Sequence, residues 1–251
     1  MRPLRIPAVA VMLAVPAMAA TSVCTYESFD PTNGNAGFSG TADGRVTSVP
    51  HVQACRLADG EEVILDGRLD DPVWSRAHAA TGFHVWDPTR GVPASEQTVF
   101  KVAYDDEAVY FGIACLESDG SNVTSQLCRR DNMVNSDVLS LYLDTLHDHT
   151  TGYNFGVNPD GVQRDRYVYG DGDMDSTWDA VWDAETHVDE RGWYAEMRIP
   201  FSCVRYSNGG DMTWGCNLYR YMHSKGEDTS WVTWDRGTSG FVSRFGEIRG
   251  I

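Results

Sequence analysis

The 251-residue sequence is poor in basic residues: 20 lysines and arginines stand against 36 aspartates and glutamates, which gives a formal net charge of −16. An acidic surface repels phosphate backbones and anionic lipid headgroups. The charge therefore argues against nucleic acid or an anionic membrane surface as a partner. A neutral or cationic ligand is expected.

The sequence also lacks the short motifs that mark common enzymes. It has no GxSxG, no HExxH, no P-loop and no GxGxxG after a strand. A glycosidase needs two carboxyl groups across a cleft, but carboxylates occur along the whole chain and single out no pair. No catalytic residue is predicted, and a hydrolase is the most distant of the alternatives.

Long apolar runs are missing except near the N-terminus. There, Arg2 and Arg5 precede the run Ile6 to Val15 and the small-residue site AMA at residues 17–19. This is the layout of a secretory signal peptide, so residues 1–19 are predicted to be removed on export. No other segment reaches the roughly 18 consecutive apolar residues of a membrane helix, so no transmembrane helix is predicted.

No cysteine lies in a CxxC pair, which disfavours a zinc site. An even number of cysteines in an exported chain favours disulfides, although six allow 15 connectivities. The local pairings are preferred, each worth roughly 3 kcal/mol if unstrained. They join Cys115 to Cys128 and Cys203 to Cys216, and leave Cys24 for Cys55.

The chain divides by composition near residue 60. Residues 20–59 are rich in Ser, Thr, Gly, Asn and Asp and predict a linker or N-terminal arm. Residues 60–251 contain short alternating runs separated by turn signals, which predict an all-β domain. The expected fold is an antiparallel, jelly-roll-like β-sandwich of about ten strands with little helix. Only Asp71 to Ala80 favours a short helical turn.

Two hairpins are the clearest local predictions, over Thr98 to Leu116 and over Val181 to Ile199. The other predicted strands are Val138 to Asp144, Tyr153 to Asn158, Gln163 to Tyr169, Thr213 to Met222, Thr229 to Trp234 and Phe241 to Ile248.

Strand alternation assigns side chains to faces, because residues two apart share a side. It places Trp193 in the core and groups Trp182 with an apolar set. The opposite faces carry Ser, Tyr and Asn side chains: Ser140, Tyr142, Asn154, Asn158, Asn217, Tyr219 and Tyr221. Such a face suits a neutral polyhydroxyl ligand such as a sugar, or is simply a solvated outer face.

The run GDGDMDSTWD places Asp171, Asp173 and Asp175 at alternate positions. This spacing can bring carboxylate oxygens together on a hard cation, so a structural Ca²⁺ site is one hypothesis. A solvated acidic loop is the alternative in a chain this acidic.

An ordered series of motifs resembles the family 9 carbohydrate-binding modules. The series is ILDG (residues 64–67), LDDPVW (69–74), VAYDDEAVYFGIAC, RRDNMVNSDVLSLYLD, FGVNPDG, WDAVWDAETHVDERGWYAEMRIPFS, WGCNLYR and FGEIRG. The sequence also resembles the family 9-like domain that precedes an outer-membrane barrel in large bacterial proteins. The resemblance covers residues 61–251.

This resemblance implies a non-catalytic β-sandwich that binds a plant-type polysaccharide such as xylan or cellulose, with structural calcium in some members. It implies a bacterial protein that is periplasmic, outer-membrane-associated or extracellular, acting with a glycoside hydrolase or an outer-membrane barrel. A structural or interaction domain without sugar binding is the alternative, which a longer reading frame downstream would favour.

In the family, two tryptophans sandwich the sugar, at positions that here hold Met133-Val134 and Ser239. The expected substitutes are Trp178, Trp231, Trp234 and Phe241. Residues expected to hydrogen-bond the ligand are Arg130, Asp137, Asn158 and Tyr219. For Arg130, Asp131 and Arg220, a structural salt-bridge network is the alternative.

Overall fold

The computed structural model describes residues 49–132, 135–207 and 212–251. The predicted signal peptide, Cys24 and most of the predicted arm lie outside these residues, as do Met133 and Val134. Within the described residues, no helix has the length and hydrophobicity needed to cross a membrane.

Two β-sheets form the sandwich, which confirms the predicted fold class. The described residues contain fifteen strands and one short α-helix, α1 (Pro72–Arg76). The strands are β1 (His51–Gln53), β2 (Cys55–Arg56), β3 (Ala79–Ala80), β4 (His84–Asp87), β5 (Thr98–Tyr104), β6 (Ala108–Leu116), β7 (Val138–Asp144), β8 (Gly152–Val157), β9 (Gln163–Tyr169), β10 (Asp173–Asp175), β11 (Asp183–Asp189), β12 (Gly192–Pro200), β13 (Thr213–Met222), β14 (Glu227–Ser230) and β15 (Gly246–Arg249).

The larger sheet has nine strands and the smaller has six. The order in the larger sheet is β1-β15-β13-β7-β8-β9-β10, with β14 paired to β13 and β4 paired to β14. The order in the smaller sheet is β11-β12-β6-β5-β2, with β3 paired to β5. Both predicted hairpins are present, as β5-β6 and β11-β12.

The N-terminal boundary of the domain lies earlier than predicted. Residues 51–56, assigned to the arm from composition, form β1 and β2, which pair in parallel with β15 and β5. Strands of two or three residues are too short to show a hydrophobic period. The single turn of α1 is also shorter than predicted, because Ala77 is already extended with ψ of 139°.

The core lies between the sheets and follows the predicted alternation. Trp193 is fully buried and Trp182 is 3% exposed, so both belong to the core as predicted. Trp178 is half-buried at the edge of the same core, with its ring centroid 4.9 Å from Tyr153 and 5.9 Å from Phe155. Trp178 therefore packs on the edge of the core, and the ligand role expected of it stays a prediction.

The structure contradicts the two predicted local disulfides. Cys115, Cys128, Cys203 and Cys216 are free thiols. Cys115 and Cys216 are fully buried in the core, whereas their expected partners lie partly exposed in connecting segments, where the Cys203 thiol donates to the Val181 carbonyl at 2.8 Å. Burial raises the pKa of the Cys115 thiol to about 12. The Cys24–Cys55 pairing stays a prediction, since Cys24 is outside the described residues.

Candidate functional site

The candidate site lies on the outer face of the nine-stranded sheet, the face turned away from the six-stranded sheet. The segment 231–245 folds back over part of this face and packs Phe241, Val242 and Phe245 on Tyr142 and Val168. Residues 231–234 and 241–245, parts of the predicted strands 229–234 and 241–248, are instead mostly loop and a 3₁₀ turn. Phe241, Val242 and Phe245 pack on the outer face, whereas Trp231 and Val232 pack in the core between the sheets.

Asn217 fixes the covering segment to the sheet. Its Nδ2 donates to the Val232 carbonyl at 3.0 Å, and its Oδ1 accepts from the Val232 and Leu218 amides at 3.0 Å. Asn154, on the same face, is also fully buried and donates to the Leu141 carbonyl at 3.1 Å. These two predicted polar-face residues are therefore structural.

Around the contact between Phe241 and Tyr142, five aromatic side chains form an aromatic ridge, defined as Trp86, Tyr142, Tyr219, Trp234 and Phe241. The ring centroids are 5.5 Å apart for Trp86 and Tyr219, 4.6 Å for Trp86 and Trp234, and 5.0 Å for Tyr142 and Phe241. Edge-to-face pairs at these distances are favourable. The ridge therefore presents a fixed apolar surface.

An open depression of about 600 Å³ lies on the Trp234 side of the ridge. Its arginines are engaged by the protein itself. Arg90 lies 3.4 Å over the Trp86 ring and donates to the Trp86 and Trp234 carbonyls, and Arg236 pairs with Asp87 at 2.6 Å. This depression offers a ligand few unused hydrogen-bonding groups from its arginines.

A second depression, the polar groove, lies on the Tyr219 side of the ridge and has a volume of about 290 Å³. Tyr219 and Tyr221 from β13 lie beside Ser140 from β7. Arg164 lies on one wall and Asp228, from β14, on the opposite side of β13. The remaining lining residues are Asn135, Ser136 and Val138.

The Arg164 side chain reaches the polar groove by extending over the backbone of a glycine on the neighbouring strand. In the sheet register, Gly156 on β8 lies between Ser140 on β7 and Arg164 on β9. The Arg164 guanidinium extends over Gly156, and its Nη2 donates to the Ser140 Oγ at 2.9 Å. A Cβ at position 156 would lie 3.3 Å from the Arg164 Nε, which is a tight contact. Glycine at this position thus leaves the space that the arginine occupies.

Polar groups of the groove have hydrogen-bonding capacity that the described residues leave unused. The Tyr219 hydroxyl is buried without a partner among these residues, and its burial raises the Tyr219 pKa. The Asp228 carboxylate makes no hydrogen bond or ion pair within the described chain. Burial, together with the nearby charge of Asp87, raises the Asp228 pKa. A buried polar atom without a partner, such as the Tyr219 hydroxyl oxygen, is unusual and calls for an explanation.

Three predicted hydrogen-bonding residues are instead parts of the scaffold. The Arg130 Nη2 lies 2.6 Å from the Asp165 Oδ1 and 2.9 Å from the Ala180 carbonyl. Asn158 is fully buried and closes its own turn, with its Oδ1 accepting from the amides of residues 160 and 162. Asp137 is also fully buried and accepts from the His223 amide at 2.8 Å.

Arg220 lies in a buried ion pair, as the salt-bridge alternative predicted. Its Nη2 is 2.5 Å from the Glu117 Oε1, and its Nη1 donates to the carbonyls of Gln97 and Leu116. Both side chains are almost completely buried. Asp131 holds the start of β9, accepting from the Asp165 amide at 3.2 Å. These contacts stabilise the sheet beneath the loops.

The predicted tryptophans separate in the structure. Trp231 is buried between the sheets, with its ring centroid 5.0 Å from Phe100, so the expected ligand role is wrong. Trp234, three residues later, is part of the aromatic ridge together with Tyr219 and Phe241. Of the predicted ligand-binding residues, Trp234 and Tyr219 are those that the structure brings together.

The three aspartates of the calcium hypothesis do not converge. The Asp171 Oδ1 accepts from the Phe241 and Ser243 amides at 2.9 Å, which anchors the covering segment. The Asp175 Oδ1 accepts from the Thr177 amide and hydroxyl. In the described part of the chain, no group of three or more His, Cys, Asp or Glu side chains is arranged to hold a metal ion. These residues do not fit the predicted calcium site.

Sequence reasoning missed Trp86, Arg164 and Asp228. Alternation along β9 could have found Arg164, because Arg164 and Arg166 share the side of Val168, which packs on the outer face. Trp86 carries no such signal, since β4 reaches the site only by pairing with β14, about 140 residues later in the chain.

The fold is shared with carbohydrate-binding modules of known structure. A family 9 module from Caldicellulosiruptor kristjanssonii in complex with cellotriose superposes with a TM-score of 0.56 at 16% identity, covering 79% of this chain and 92% of that one. A family 9 module from the same organism in complex with glucose gives a TM-score of 0.56 at 16% identity, covering 79% of this chain and 94% of that one.

A candidate carbohydrate-binding protein from Bacteroides uniformis gives a TM-score of 0.60 at 13% identity, covering 80% of this chain and 99% of that one. No curated protein matches the sequence. The family model described as carbohydrate family 9 binding domain-like matches residues 64–249. The chain therefore belongs to the carbohydrate family 9 binding domain-like family.

Proposed function

We propose that this chain is a non-catalytic carbohydrate-binding module whose ligand occupies the polar groove beside the aromatic ridge. The observation that carries the proposal is the unused hydrogen-bonding capacity of Arg164, Tyr219 and Asp228 in one groove next to fixed aromatic rings. Sugar hydroxyls both donate and accept, while sugar ring faces pack on aromatic surface. The groove offers a donor, an acceptor and an apolar contact together.

The similar modules support this proposal, because their structures hold cellotriose and glucose. We infer a plant-type polysaccharide such as xylan or cellulose as the natural ligand, bound in the course of its breakdown. Export from a bacterium and association with a glycoside hydrolase or an outer-membrane barrel are expectations from the sequence that go with this role.

Catalysis is not part of the proposal. Hydrolysis of a glycosidic bond requires two carboxyl groups that face each other across the ligand. Among the residues that line the polar groove, Asp228 alone carries a carboxyl group. A single carboxylate is suited to accepting hydrogen bonds from hydroxyls.

Affinity electrophoresis on soluble xylan and hydroxyethyl cellulose tests the proposal. We expect the protein to be retarded, and Tyr221→Ala or Asp228→Asn to weaken retardation roughly tenfold, since each removes a groove contact. Tyr169→Ala is the matched control, because Tyr169 is 46% exposed on the other side of its strand from Arg164 and Arg166.

One observation favours a second candidate, a structural or interaction domain that does not bind sugar. Ser239 occupies a position where the resembled modules carry a stacking tryptophan, and its carbonyl accepts from Arg244. Absence of retardation on every neutral and acidic polysaccharide would favour this second role and would contradict the first.

A further inference from the structure

Resting on the proposed function, we propose that the bound glycan carries carboxylate groups, as uronic acid residues do, and that Arg164, assisted by Arg166, binds the carboxylate. This reverses the expectation of a neutral or cationic ligand that the net charge suggested. The reason is the distribution of the charge over the molecule.

Most arginines of the described residues are paired with carboxylates. Nine lie within 3.7 Å of a carboxylate oxygen: Arg56, Arg68, Arg76, Arg130, Arg191, Arg198, Arg220, Arg236 and Arg249. In a chain with 36 acidic residues, such pairing is easily achieved. Arg164 and Arg166 are exceptions: neither has an ion pair with any described residue.

These two arginines also keep unused donors. Arg164 donates through Nη2 to the Ser140 hydroxyl at 2.9 Å, and the Arg166 Nη1 meets only the Met174 sulfur, at 3.9 Å. Arg90, Arg129, Arg205 and Arg244 likewise have no carboxylate partner among the described residues. Arg129 and Arg205 are exposed to water, whereas Arg90 and Arg244 donate to backbone carbonyls and so hold loops in place. Arg164 and Arg166 make no comparable backbone contacts, so a loop-holding role does not explain them.

The close placement of Arg164 and Arg166 is electrostatically unfavourable without a bound anion. Residues two apart on a strand lie about 7 Å from each other and point to the same side. Burial, followed by the positive charge of Arg166, lowers the Arg164 pKa, and these two effects outweigh the opposing influence of Tyr142 and Asp131. The negative charge of a bound carboxylate would favour the charged guanidinium and so offset both effects. A cationic pair that Asp131 compensates only in part, in an otherwise acidic protein, is therefore better explained by a ligand than by folding.

The groove also fixes the orientation of such a ligand. The Arg164 guanidinium lies over β7, where it meets Ser140, whereas Asp228 is on β14, two strands away. Two strand spacings of about 4.8 Å separate these walls, with Tyr219 and Tyr221 between them. That leaves room for one sugar ring, hydrogen-bonded at each side. The sugar carboxylate would face Arg164, and its hydroxyls would donate to Asp228.

The chemistry favours a carboxylate over a densely charged polyanion. A guanidinium fork matches the two oxygens of a carboxylate. Asp228 on the opposite wall and the net charge of −16 would repel a ligand with a charge on every unit. A mostly neutral glycan with occasional uronate substituents meets both conditions.

Isothermal titration of the whole protein with glucuronoxylan tests the inference. The comparison ligand is the same polymer after chemical reduction of its uronates to neutral sugars. We expect the native polymer to bind roughly tenfold or more tightly than the reduced one, and this preference to shrink as salt is raised. Arg164→Gln should remove the preference, and Arg166→Gln should reduce it.

Arg205→Gln is the matched control, since it removes the same charge from an exposed arginine beyond the far end of β7 and should leave the preference unchanged. Thermal unfolding checks that each variant folds. If Arg164→Gln does not fold, Arg164→Lys keeps the charge without the fork and should lose most of the preference.

Equal binding of both polymers, or a preference that survives in Arg164→Gln, would overturn the inference while leaving the proposed function intact. Equally tight binding of dextran sulfate would show that any anion suffices and would overturn the carboxylate assignment. Failure to bind either polymer would count against the proposed function itself.

Discussion

The carboxylate of Glu196 provides a stringent test of how the N-terminal motifs attach to the sandwich. Glu196 on β12 is fully buried, and its Oε2 accepts from the amides of Asp66 and Gly67 at 2.9 Å. Its Oε1 accepts from the Trp74 Nε1 at 2.7 Å. One side chain thus satisfies three donors of the segment that carries the ILDG and LDDPVW motifs.

Glu196→Ala leaves these three donors without an acceptor. A buried donor that loses its partner costs about 1–3 kcal/mol, partly offset here because a buried charge is also removed. We expect the free energy of unfolding to fall by about 3–5 kcal/mol. Trp74→Phe keeps the ring packing but removes one donor, and should cost about 1.5–3 kcal/mol.

The double variant isolates the Trp74–Glu196 hydrogen bond. When residue 196 is alanine, the indole N–H has already lost its acceptor, so Trp74→Phe should cost less than in the wild type. The expected coupling is about 1.5 kcal/mol or more, measured by urea unfolding of the four proteins followed by circular dichroism. Additive losses within about 0.5 kcal/mol would refute the hydrogen-bond argument.

The pH dependence supplies a second readout on the same variants. Burial raises the pKa of Glu196 above its ordinary value, against the opposing effect of its three hydrogen bonds. A raised carboxyl pKa means that stability is greatest below the unfolded pKa, near 4.5, and is lost as pH rises through the folded pKa. The stability difference between wild type and Glu196→Ala should therefore narrow over this range. A stability difference that widens as pH rises would contradict the predicted direction of the Glu196 pKa shift.

Three further outcomes are expected. In urea titrations, Trp178→Ala should lower the free energy of unfolding by about 2–3 kcal/mol, because the Trp178 ring is half-buried. Trp193→Ala should lower it by about 3–5 kcal/mol, because the Trp193 ring is fully buried. Neither variant should change glycan affinity if it folds. EDTA should leave the melting temperature unchanged in differential scanning calorimetry, since the acidic run is held by its own hydrogen bonds; a chelator-dependent drop would restore the calcium hypothesis. In thiol labelling read by mass spectrometry, Cys128 should react in the native protein and Cys115 only after unfolding.

Alternation predicted the strands whose two faces have different environments. The bounds of β7, β9 and β13 agree with the sequence prediction, because each strand has one face in the core. The strand prediction failed where tertiary contacts, and not the alternation of apolar and polar residues, determine the local structure. Residues 231–234 and 241–245 are as apolar as a strand. Trp231 and Val232 nevertheless pack in the core from a loop, and residues 241–245 pack on the outer face of the nine-stranded sheet; composition cannot distinguish either role from a strand.

The site was predictable in part. Alternation placed Ser140, Tyr219 and Tyr221 on the outer face, where they line the polar groove. It could not separate Trp231 from Trp234, since the first is buried between the sheets and the second lies on the aromatic ridge. The extension of Arg164 over Gly156 depends on the register of three strands, and no local pattern encodes that register.

The parallel pairing of β1 and β2 has a mechanical consequence. Within six residues, the chain joins β15 in one sheet and then β5 in the other, with the Ala54 amide donating to the Arg249 carbonyl and the Leu57 amide to the Tyr104 carbonyl, each at 2.9 Å. In a parallel pair, tension between residue 50 and residue 250 pulls the two strands along their length in opposite directions. The hydrogen bonds then share the load in shear instead of opening one at a time, so the sandwich would resist being pulled apart by a force applied at residues 50 and 250.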